Sequence, residues 1–493
     1  MSGSVAKEAK VIVRHSIAYG LSNVLDKLVS FIMLPVYTRL LTPADYGIME
    51  LISMTTGIIS LVVGMGLESA VSRFYFDYKE EADKKMVISS AIVGYGAMIT
   101  LISLLTLPFS GLLAKLILDS SDYSSFFVIA LLTLALNMIL PIVFAYLRVQ
   151  QKSVQYMVTK VAMTIVTLGM NIYFVVIAKM GVYGILLSSL VSFTIFTVIM
   201  VGLTLKQTGL RINYKLLKEM VIFGIPLIPS NISAFLVHSS DRYFIKAYAD
   251  MTTTGLYSLG YKIGTLINQF VTSPFIQIWS PRRMEFFNQE GKEQIYARIF
   301  TYFCTLSLFV GLMISLLAKE VIHFMAPPNY WDAHKVVSII VLSYIIFSFH
   351  YHFNVGIMMK KATKYIAYVN VTNGILNIIL NFILIKRYTI WGAAVATLVC
   401  FIVKVVLTYY YSNRLYKITM EWRRIAVLFI TAFAIYFSGF LVSTGSIWIN
   451  IFIKIMIGLS YPAVLYIMRF FTADEIRRFK HILKTRTLEY KEG

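Results

Sequence analysis

Strongly apolar segments alternate with short polar breaks along the whole chain, and most are about 20 residues long, enough to cross a hydrocarbon core. Two typical segments, Met86–Phe109 and Gly184–Leu205, contain no charged residue. The segments between polar breaks predict about fourteen transmembrane helices. These helices are predicted to begin near Arg14, Tyr46, Met86, Ser124, Val154, Val182, Glu219, Thr254, Tyr296, Lys335, Lys364, Trp391, Arg424 and Ile447.

The composition agrees with a chain that lives in a membrane. Of its 493 residues, 58% are hydrophobic and 14% are charged, whereas soluble domains have about 25% charged residues. The mean hydropathy is +0.74. We therefore predict an all-α polytopic membrane protein. Cys304 and Cys400 both fall within predicted spans, which indicates that there is no disulfide framework.

The formal charge of +21 is unevenly distributed among the polar breaks. The termini and alternate loops carry 31 of the 45 lysine and arginine residues, and the opposite loops carry 9. This asymmetry follows the positive-inside rule and predicts a multi-pass protein of the cytoplasmic membrane with both termini in the cytoplasm. The basic loops also suit contact with anionic membrane lipids, so the positive charge does not call for nucleic acid as a partner.

The second half of the chain repeats features of the first. Thr42–Leu51 matches Thr252–Leu259, so that Gly47 aligns with Gly255. A repeat of six helices preserves orientation and relates the two halves by an axis along the membrane normal. We predict an N-terminal lobe over residues 1–210 (helices 1–6), a C-terminal lobe over 211–420 (helices 7–12), helices 13 and 14 over 421–470, and a basic cytoplasmic tail over 471–493.

Three stretches carry a more specific resemblance. "SIAYGLSNVLDKLVSFIMLPVYTRLLTPADYGIMELI" (Ser16–Ile52), "SDRYFIKAYADMTTTGLYSLGYKIG" (Ser240–Gly264) and "IWGAAVATLV" (Ile390–Val399) resemble bacterial polysaccharide-type flippases. These belong to the multidrug/oligosaccharidyl-lipid/polysaccharide (MOP) exporter superfamily. The resemblance covers nearly the whole chain, including the number of helices.

The resemblance implies a function as well as a fold. It implies two six-helix lobes around a central cavity that opens by alternating access. It implies that the protein flips a polyprenyl-diphosphate-linked oligosaccharide from the inner to the outer leaflet. The oligosaccharide would serve O-antigen, capsule or exopolysaccharide synthesis. It further implies a polysaccharide polymerase and chain-length machinery as partners.

An acid and a base lie side by side in the first predicted helix. Asp26 is about 18 Å from the helix start at Arg14, near the middle of the membrane, where a charge must face protein or water. Lys27 shares one helical face with Asn23 and Ser30. We predict that Lys27 lines the cavity and binds the diphosphate, while local pairing that only locks the lobe is the alternative for Asp26.

Two further lysines within spans are candidate substrate contacts. Lys262 lies in a polar stripe of the eighth helix, and a cation in a poorly hydrated cavity suits a pyrophosphate. Lys160 in the fifth helix is the second candidate. For Lys262, a lysine that extends to the nearest interface is the alternative interpretation.

The eleventh helix carries a row of amides. Asn370, Asn373, Asn377 and Asn381 share one face, and amides both donate to and accept from sugar hydroxyls. Asparagine also joins transmembrane helices to one another. The sequence leaves both roles open, and we take Asn370, Asn373 and Asn377 as substrate-binding candidates.

The seventh helix contains candidates for coupling and movement. Asp241-Arg242 repeats the acid-base pair of the first helix, so Asp26 and, as second choice, Asp241 are predicted to bind a coupling H⁺ or Na⁺. Arg242 is a candidate external gate, and a purely structural pair with Asp241 is the alternative. Pro226 and Pro229 interrupt the start of this helix and are hinge candidates, a static kink being the alternative.

Other function classes are less well supported. The chain has no P-loop motif and no paired carboxylates beside a catalytic loop, so we predict no catalytic residue, no metal site and no cofactor other than a coupling ion. A peptidoglycan lipid II flippase remains open. A cation-coupled multidrug exporter of the same superfamily fits less well with basic residues in the spans and with two extra helices. The sequence assigns no role to Lys404 or Lys454.

Overall fold

The computed structural model describes residue 29 and residues 31–288, 291–473 and 475–477. Asp26, Lys27 and the predicted start of the first helix at Arg14 lie outside the described residues. Within the described ranges every regular element is helical, which confirms the all-α prediction.

We number the α-helices in chain order. They are α1 (Leu34–Leu40), α2 (Pro43–Val63), α3 (Leu67–Asp77), α4 (Glu81–Thr106), α5 (Ser110–Leu118), α6 (Ser124–Val149), α7 (Ser153–Asn171), α8 (Gly181–Thr208), α9 (Tyr214–Gly224), α10 (Ile228–Tyr248), α11 (Met251–Gly264), α12 (Ser273–Glu285), α13 (Lys292–Met325), α14 (His334–Ser348), α15 (His350–Phe353), α16 (Val355–Met359), α17 (Lys364–Leu415), α18 (Trp422–Phe440) and α19 (Ile447–Ile467).

Most predicted helix starts within the described residues lie within about five residues of an observed start, and Glu219 falls inside α9. Within the described residues, ten helical segments are long and apolar enough to cross a membrane. The segment α17 covers two of the predicted helices. Thr389 (φ 46°) breaks it next to the predicted start at Trp391, so the two helices are separated there. The segments 214–248 and 251–285, predicted as helices 7 and 8, are not among the ten. The first of them contains the buried charged residues Asp241 and Arg242.

The described chain forms two compact units. Unit 1 extends to Ser258 and includes Met325–Tyr330 and Asn377–Thr389, and unit 2 contains the other described residues. The predicted lobes at 1–210 and 211–420 are defined by the sequence repeat, and they stay a prediction.

Two glycines related by the repeat meet inside unit 1. A Cβ atom on Gly255 would lie 1.8 Å from the Pro43 carbonyl oxygen and 3.0 Å from the Gly47 amide nitrogen. The start of α2 therefore packs backbone to backbone against α11. Small residues allow such close approach in membranes, which explains why the matching sequence positions hold glycine.

Thr42 caps α2 through a reciprocal pair of hydrogen bonds with Asp45.

Unit 2 includes α18 and α19, which lie outside the sequence repeat. Both pack against α13 through glycines: a Cβ atom on Gly439 would lie 2.4 Å from Leu316, and one on Gly458 would lie 2.3 Å from Met313. Lys454 of α19 donates to Glu320 of α13 at 2.6 Å. These contacts tie α18 and α19 closely to α13.

The segment after α19 is anchored by an ion pair. Arg424 donates to Glu475 at 2.9 Å. Burial alone would raise the pKa of Glu475, but the hydrogen bonds from Arg424 and from the Thr472 amide lower it below its ordinary value. The basic tail predicted over 471–493 lies mostly outside the described residues.

The predicted topology has a direct test. Single cysteines placed at Asn329 and at Asn288 are expected to behave oppositely: the first reacts with an impermeant maleimide on intact cells, and the second reacts only after permeabilisation. The native Cys304 and Cys400 are fully buried and should give little background. Labelling of the Asn288 position from outside would overturn the assignment of loops to sides.

Candidate functional site

The membrane segment Pro43–Asp77 in unit 1, predicted as helix 2, is interrupted between α2 and α3. Met65 (φ 45°) and Gly66 (φ 60°) adopt left-handed conformations, which end one helix and begin the next. Freed carbonyl groups at membrane depth need a partner. The Tyr95 hydroxyl of α4 supplies one, since it donates to the Val63 carbonyl oxygen at 3.1 Å.

A second interruption lies between α9 and α10. Ile225–Leu227 forms a short 3₁₀ turn that contains Pro226, and Pro229 follows in the first turn of α10. A proline lacks an N–H group and cannot continue the helical ladder. The prediction that this segment is interrupted is thus consistent with the backbone, and the hinge role itself stays a prediction.

The two interruptions touch each other. A Cβ atom on Gly224 would lie only 1.6 Å from the Met65 carbonyl oxygen. Further along, Thr55 and Tyr243 share a hydrogen bond of 2.9 Å between their hydroxyl oxygens. The helix pairs α2/α3 and α9/α10 therefore pack along each other with their breaks side by side.

A cavity of about 320 Å³ adjoins both breaks within unit 1. Its polar lining includes the exposed side chains of Asn137, Asn231, Glu68 and Ser69. The other lining residues are Ser60, Leu61, Gly64, Gly66, Leu67, Tyr95, Leu134, Met138, Pro141 and Ile142.

The cavity is polar without a strong net charge from its lining. The Arg148 guanidinium pairs with the Glu68 carboxylate. Arg148 follows a predicted span in a basic loop, and its pairing with Glu68 was not predicted. Amide and hydroxyl groups remain to bind a ligand, and such groups suit sugar hydroxyls. Substrate sites in transporters are often formed by discontinuous helices, which is the arrangement seen here.

The Asp241-Arg242 pair is deeply buried in α10. The Asp241 carboxylate accepts from Arg242 Nη1 at 2.6 Å and from the Tyr257 hydroxyl at 2.6 Å, and Arg242 Nη1 also donates to the His238 carbonyl at 2.7 Å. Side-chain exposure is 1% for Asp241 and 4% for Arg242. The Tyr257 bond joins the middle of α11 to α10. Coupling by Asp241 and gating by Arg242 stay predictions.

Two of the four predicted amides join helices inside unit 1. Asn377 Oδ1 accepts from the Ser240 hydroxyl at 2.9 Å, and Asn381 Nδ2 donates to Asn377 Oδ1 and to Ser240 Oγ at 3.1 Å each. Both asparagines are completely buried. In this conformation the side-chain amides of Asn377 and Asn381 join helices, which is the alternative to sugar binding that the sequence leaves open.

The other predicted site residues within the described ranges do not gather at the cavity. Lys160 is half-buried, with its ammonium 4.6 Å from the centre of the Phe144 ring. In unit 2, Lys262 and Asn370 are half-buried and Asn373 is buried. None of these residues lines the cavity in unit 1.

Some of the cavity residues carry a weak signal in the sequence. Gly64 and Gly66 flank Met65 inside an apolar run, and two glycines so close in a span suggest a break. Asn137 and Asn231 are single amides in apolar surroundings, and only the fold brings them together. Within the described residues, no group of histidine, cysteine, aspartate and glutamate side chains could hold a metal ion.

The sequence profile of the family described as "Polysaccharide biosynthesis protein" matches residues 12–287, more than half of the chain. The chain belongs to this polysaccharide biosynthesis protein family.

Two curated relatives of this family member align with it. A Haloferax volcanii protein named "Probable low-salt glycan biosynthesis flippase Agl15" is 21% identical over 491 residues, covering 96% of this chain and 99% of the relative. A Haemophilus influenzae protein named for the Lsg locus is 25% identical over 263 residues, covering 52% of this chain and 62% of that protein.

Solved structures share the fold. The lipid II flippase MurJ in an inward closed conformation has a TM-score of 0.74 at 15% identity, covering 92% of this chain and 99% of that one. An inward-facing multidrug resistance transporter of the MATE family in the MOP superfamily has a TM-score of 0.62 at 13% identity, covering 81% and 95%. The predicted resemblance to polysaccharide-type proteins is confirmed by the family match, and the fold is shared with a transporter of the MOP superfamily.

Proposed function

We propose that this chain flips a polyprenyl-diphosphate-linked oligosaccharide from the inner to the outer leaflet of the cytoplasmic membrane for polysaccharide synthesis. The single observation that carries most weight is the alignment along the full length of both chains with the Haloferax protein named as a glycan biosynthesis flippase. The family match and the fold shared with MurJ support the same function. The role proposed is transport rather than catalysis.

The broken helices supply the mechanism that we propose. Helix segments joined by irregular backbone can rotate at the joint, since the joint has few ladder hydrogen bonds to lose. Movement at 64–66 and at 225–229 would open and close the polar cavity of unit 1. Asn137 and Asn231 would then bind the sugars of the substrate, while Lys27 and Lys262 remain our candidates for the diphosphate.

Coupling by an ion belongs to the same proposal. A coupling ion can drive release of a bound anion only if it binds one conformation better than the other. Asp26 is the leading candidate for H⁺ or Na⁺, and its place in the sequence beside Lys27 is the supporting observation. The bonds of Asp241 to Arg242 and Tyr257 leave it the second choice.

The amides of the cavity provide a sharp mutational test. Asn137→Ala and Asn231→Ala are each expected to slow glycolipid flipping about tenfold, since lost hydrogen bonds to a bound polar ligand cost on the order of 1–2 kcal/mol. Folding should be unaffected because both side chains are exposed to the cavity. Asn450→Ala is the control; this half-buried amide lies in the first turn of α19 in unit 2 and bonds to Thr444, away from the cavity. Wild-type flipping by both cavity variants would remove these amides from the substrate site.

The lysine in α11 tests the diphosphate half of the proposal. Lys262→Ala is expected to reduce export by at least about tenfold, the size of one lost charge-assisted hydrogen bond. Lys386→Ala, which removes an exposed lysine of unit 1, is expected to export normally. Equal export by both variants would place the anion site elsewhere.

The lipid II flippase is the second candidate, favoured by the TM-score of 0.74 with MurJ. Deletion of the gene separates the candidates. Accumulation of a lipid-linked polysaccharide repeat unit, with unchanged lipid II, supports our proposal. Accumulation of lipid II and arrest of peptidoglycan synthesis would support the alternative.

A further inference from the structure

Unit 2 contains a second cavity, of about 480 Å³, at one end of α13, α14, α18 and α19. The charge distribution predicts that this end faces outward. Among the lining residues are three lysines and a histidine, Lys319, Lys335, Lys454 and His334, and none of the lining residues is acidic. The cavity is thus separate from the site in unit 1 and different in charge.

The lysines differ in how far they are neutralised. Lys335 pairs with Asp332 at 2.9 Å, and Lys454 pairs with Glu320 at 2.6 Å. Lys319 is exposed and forms no ion pair within the described part of the chain. The cavity therefore keeps uncompensated positive charge at its mouth, which favours an anionic ligand.

Lys454 forms part of the wall of this cavity and is itself 6% exposed. Its ammonium group has three N–H donors, and Glu320 Oε1 accepts one of them. Within the described ranges no acceptor is found for the other two donors, which can therefore bind an anion in the cavity. The Glu320 Oε2 atom is buried with no hydrogen-bond partner among the described residues, so the pair is not closed on itself.

An apolar groove of about 80 Å³ continues from this cavity along the same helices. The groove and the cavity share Ser315, Ser338 and Tyr436, and the Tyr436 hydroxyl donates to Ser338 Oγ, or accepts from it, at 2.9 Å. The other groove residues are Leu308, Gly311, Leu312, Val341, Leu342, Ile345, Ala432 and Phe433. A cationic cavity joined to an apolar groove matches a molecule with a charged head and a hydrocarbon chain.

We propose that this cavity binds the phosphate headgroup of a lipid, with a hydrocarbon chain in the adjoining groove. Trp391 and Phe440 form aromatic parts of the wall, which suits a position near the membrane surface. The headgroup comes either from an anionic phospholipid of the bilayer or from a polyprenyl diphosphate. The site goes beyond the proposed function and does not require that the chain be a flippase.

The test measures lipid binding to the purified full-length chain in detergent by native mass spectrometry and by titration. The probes are phosphatidylglycerol, phosphatidylcholine, glycerol phosphate and undecaprenyl diphosphate. We expect phosphatidylglycerol to bind more tightly than phosphatidylcholine. The double variant K319Q/K335Q should weaken its binding about tenfold, the size of one charge-assisted hydrogen bond. K386Q, which changes an exposed lysine outside the cavity, should have no effect.

The outcomes separate the two sources of the headgroup. Tighter binding of undecaprenyl diphosphate, sensitive to K319Q/K335Q, supports the site with a polyprenyl lipid as its ligand. Preference for phosphatidylglycerol supports it with a bilayer lipid. Binding of glycerol phosphate as tight as that of phosphatidylglycerol would overturn the assignment of the groove. Equal binding of phosphatidylglycerol and phosphatidylcholine, or equal effects of K386Q and K319Q/K335Q, would overturn the whole proposal.

Discussion

Gly224→Val is expected to abolish transport. The Cβ atom of the new side chain would lie 1.6 Å from the Met65 carbonyl oxygen, and both partners are backbone positions that cannot turn aside. One of the two helix breaks must shift, which costs about 1–3 kcal/mol or more in a packed interior. We expect glycolipid flipping below about a tenth of the wild-type rate, measured in proteoliposomes, together with a lower melting temperature.

The matched control is Gly202→Val in α8, where a Cβ atom would meet nothing within 4 Å. This variant makes the same chemical change in a membrane helix and is expected to flip glycolipid normally. Size-exclusion chromatography shows whether each variant is folded. Normal flipping by Gly224→Val would mean that the contact between the breaks is not needed for function.

Lys454→Met is expected to have the second largest effect, on stability. The Lys454–Glu320 pair is buried, with side-chain exposures of 7% and 4%. Removing the lysine leaves an unpaired buried carboxylate, which typically costs about 3–5 kcal/mol. The melting temperature in detergent should fall by several degrees.

The double variant K454M/E320L tests the physical reason. Replacement of a buried ion pair by apolar side chains is often neutral or stabilising, so the double variant should recover most of the lost stability. Lys335→Met is the control. The side chains of Lys335 and its partner Asp332 are 41% and 60% exposed, and exposed ion pairs contribute only about 0–1 kcal/mol to the free energy of unfolding. A double variant as unstable as the single one would mean that Lys454 stabilises the fold through packing and not through charge.

The helices were predictable because hydropathy is a local property. The predicted starts at Ser124, Lys364 and Ile447 coincide with α6, α17 and α19. The break before α10 was also predictable, since Pro226 and Pro229 cannot continue a helix. The break at Met65 was not predicted, because Gly64 and Gly66 are only a weak signal of a break and no polar residue interrupts the apolar run there.

The pairing of polar residues could not be predicted from the sequence. Ser240 bonds to Asn377 across 137 residues, and Lys454 bonds to Glu320 across 134. Periodicity shows which residues share a face of a helix, but not which neighbouring helix that face meets. For this reason the asparagine row was identified as one stripe, whereas Asn377 and Asn381 lie in unit 1 and Asn370 and Asn373 lie in unit 2.

The central claim, that this chain flips a polyprenyl-diphosphate-linked glycan, is tested most directly in proteoliposomes. A fluorescent glycolipid of this class is incorporated with the purified chain, and the fraction bleached by a membrane-impermeant reductant is measured. With the protein present, we predict that nearly all of the glycolipid becomes accessible to the reductant over time. In empty liposomes and in liposomes with Gly224→Val, the accessible fraction should stay at about half, which is the share of the outer leaflet. Accessibility that stays near half with the wild-type chain, in the presence of either a pH or a Na⁺ gradient, would contradict the proposed function.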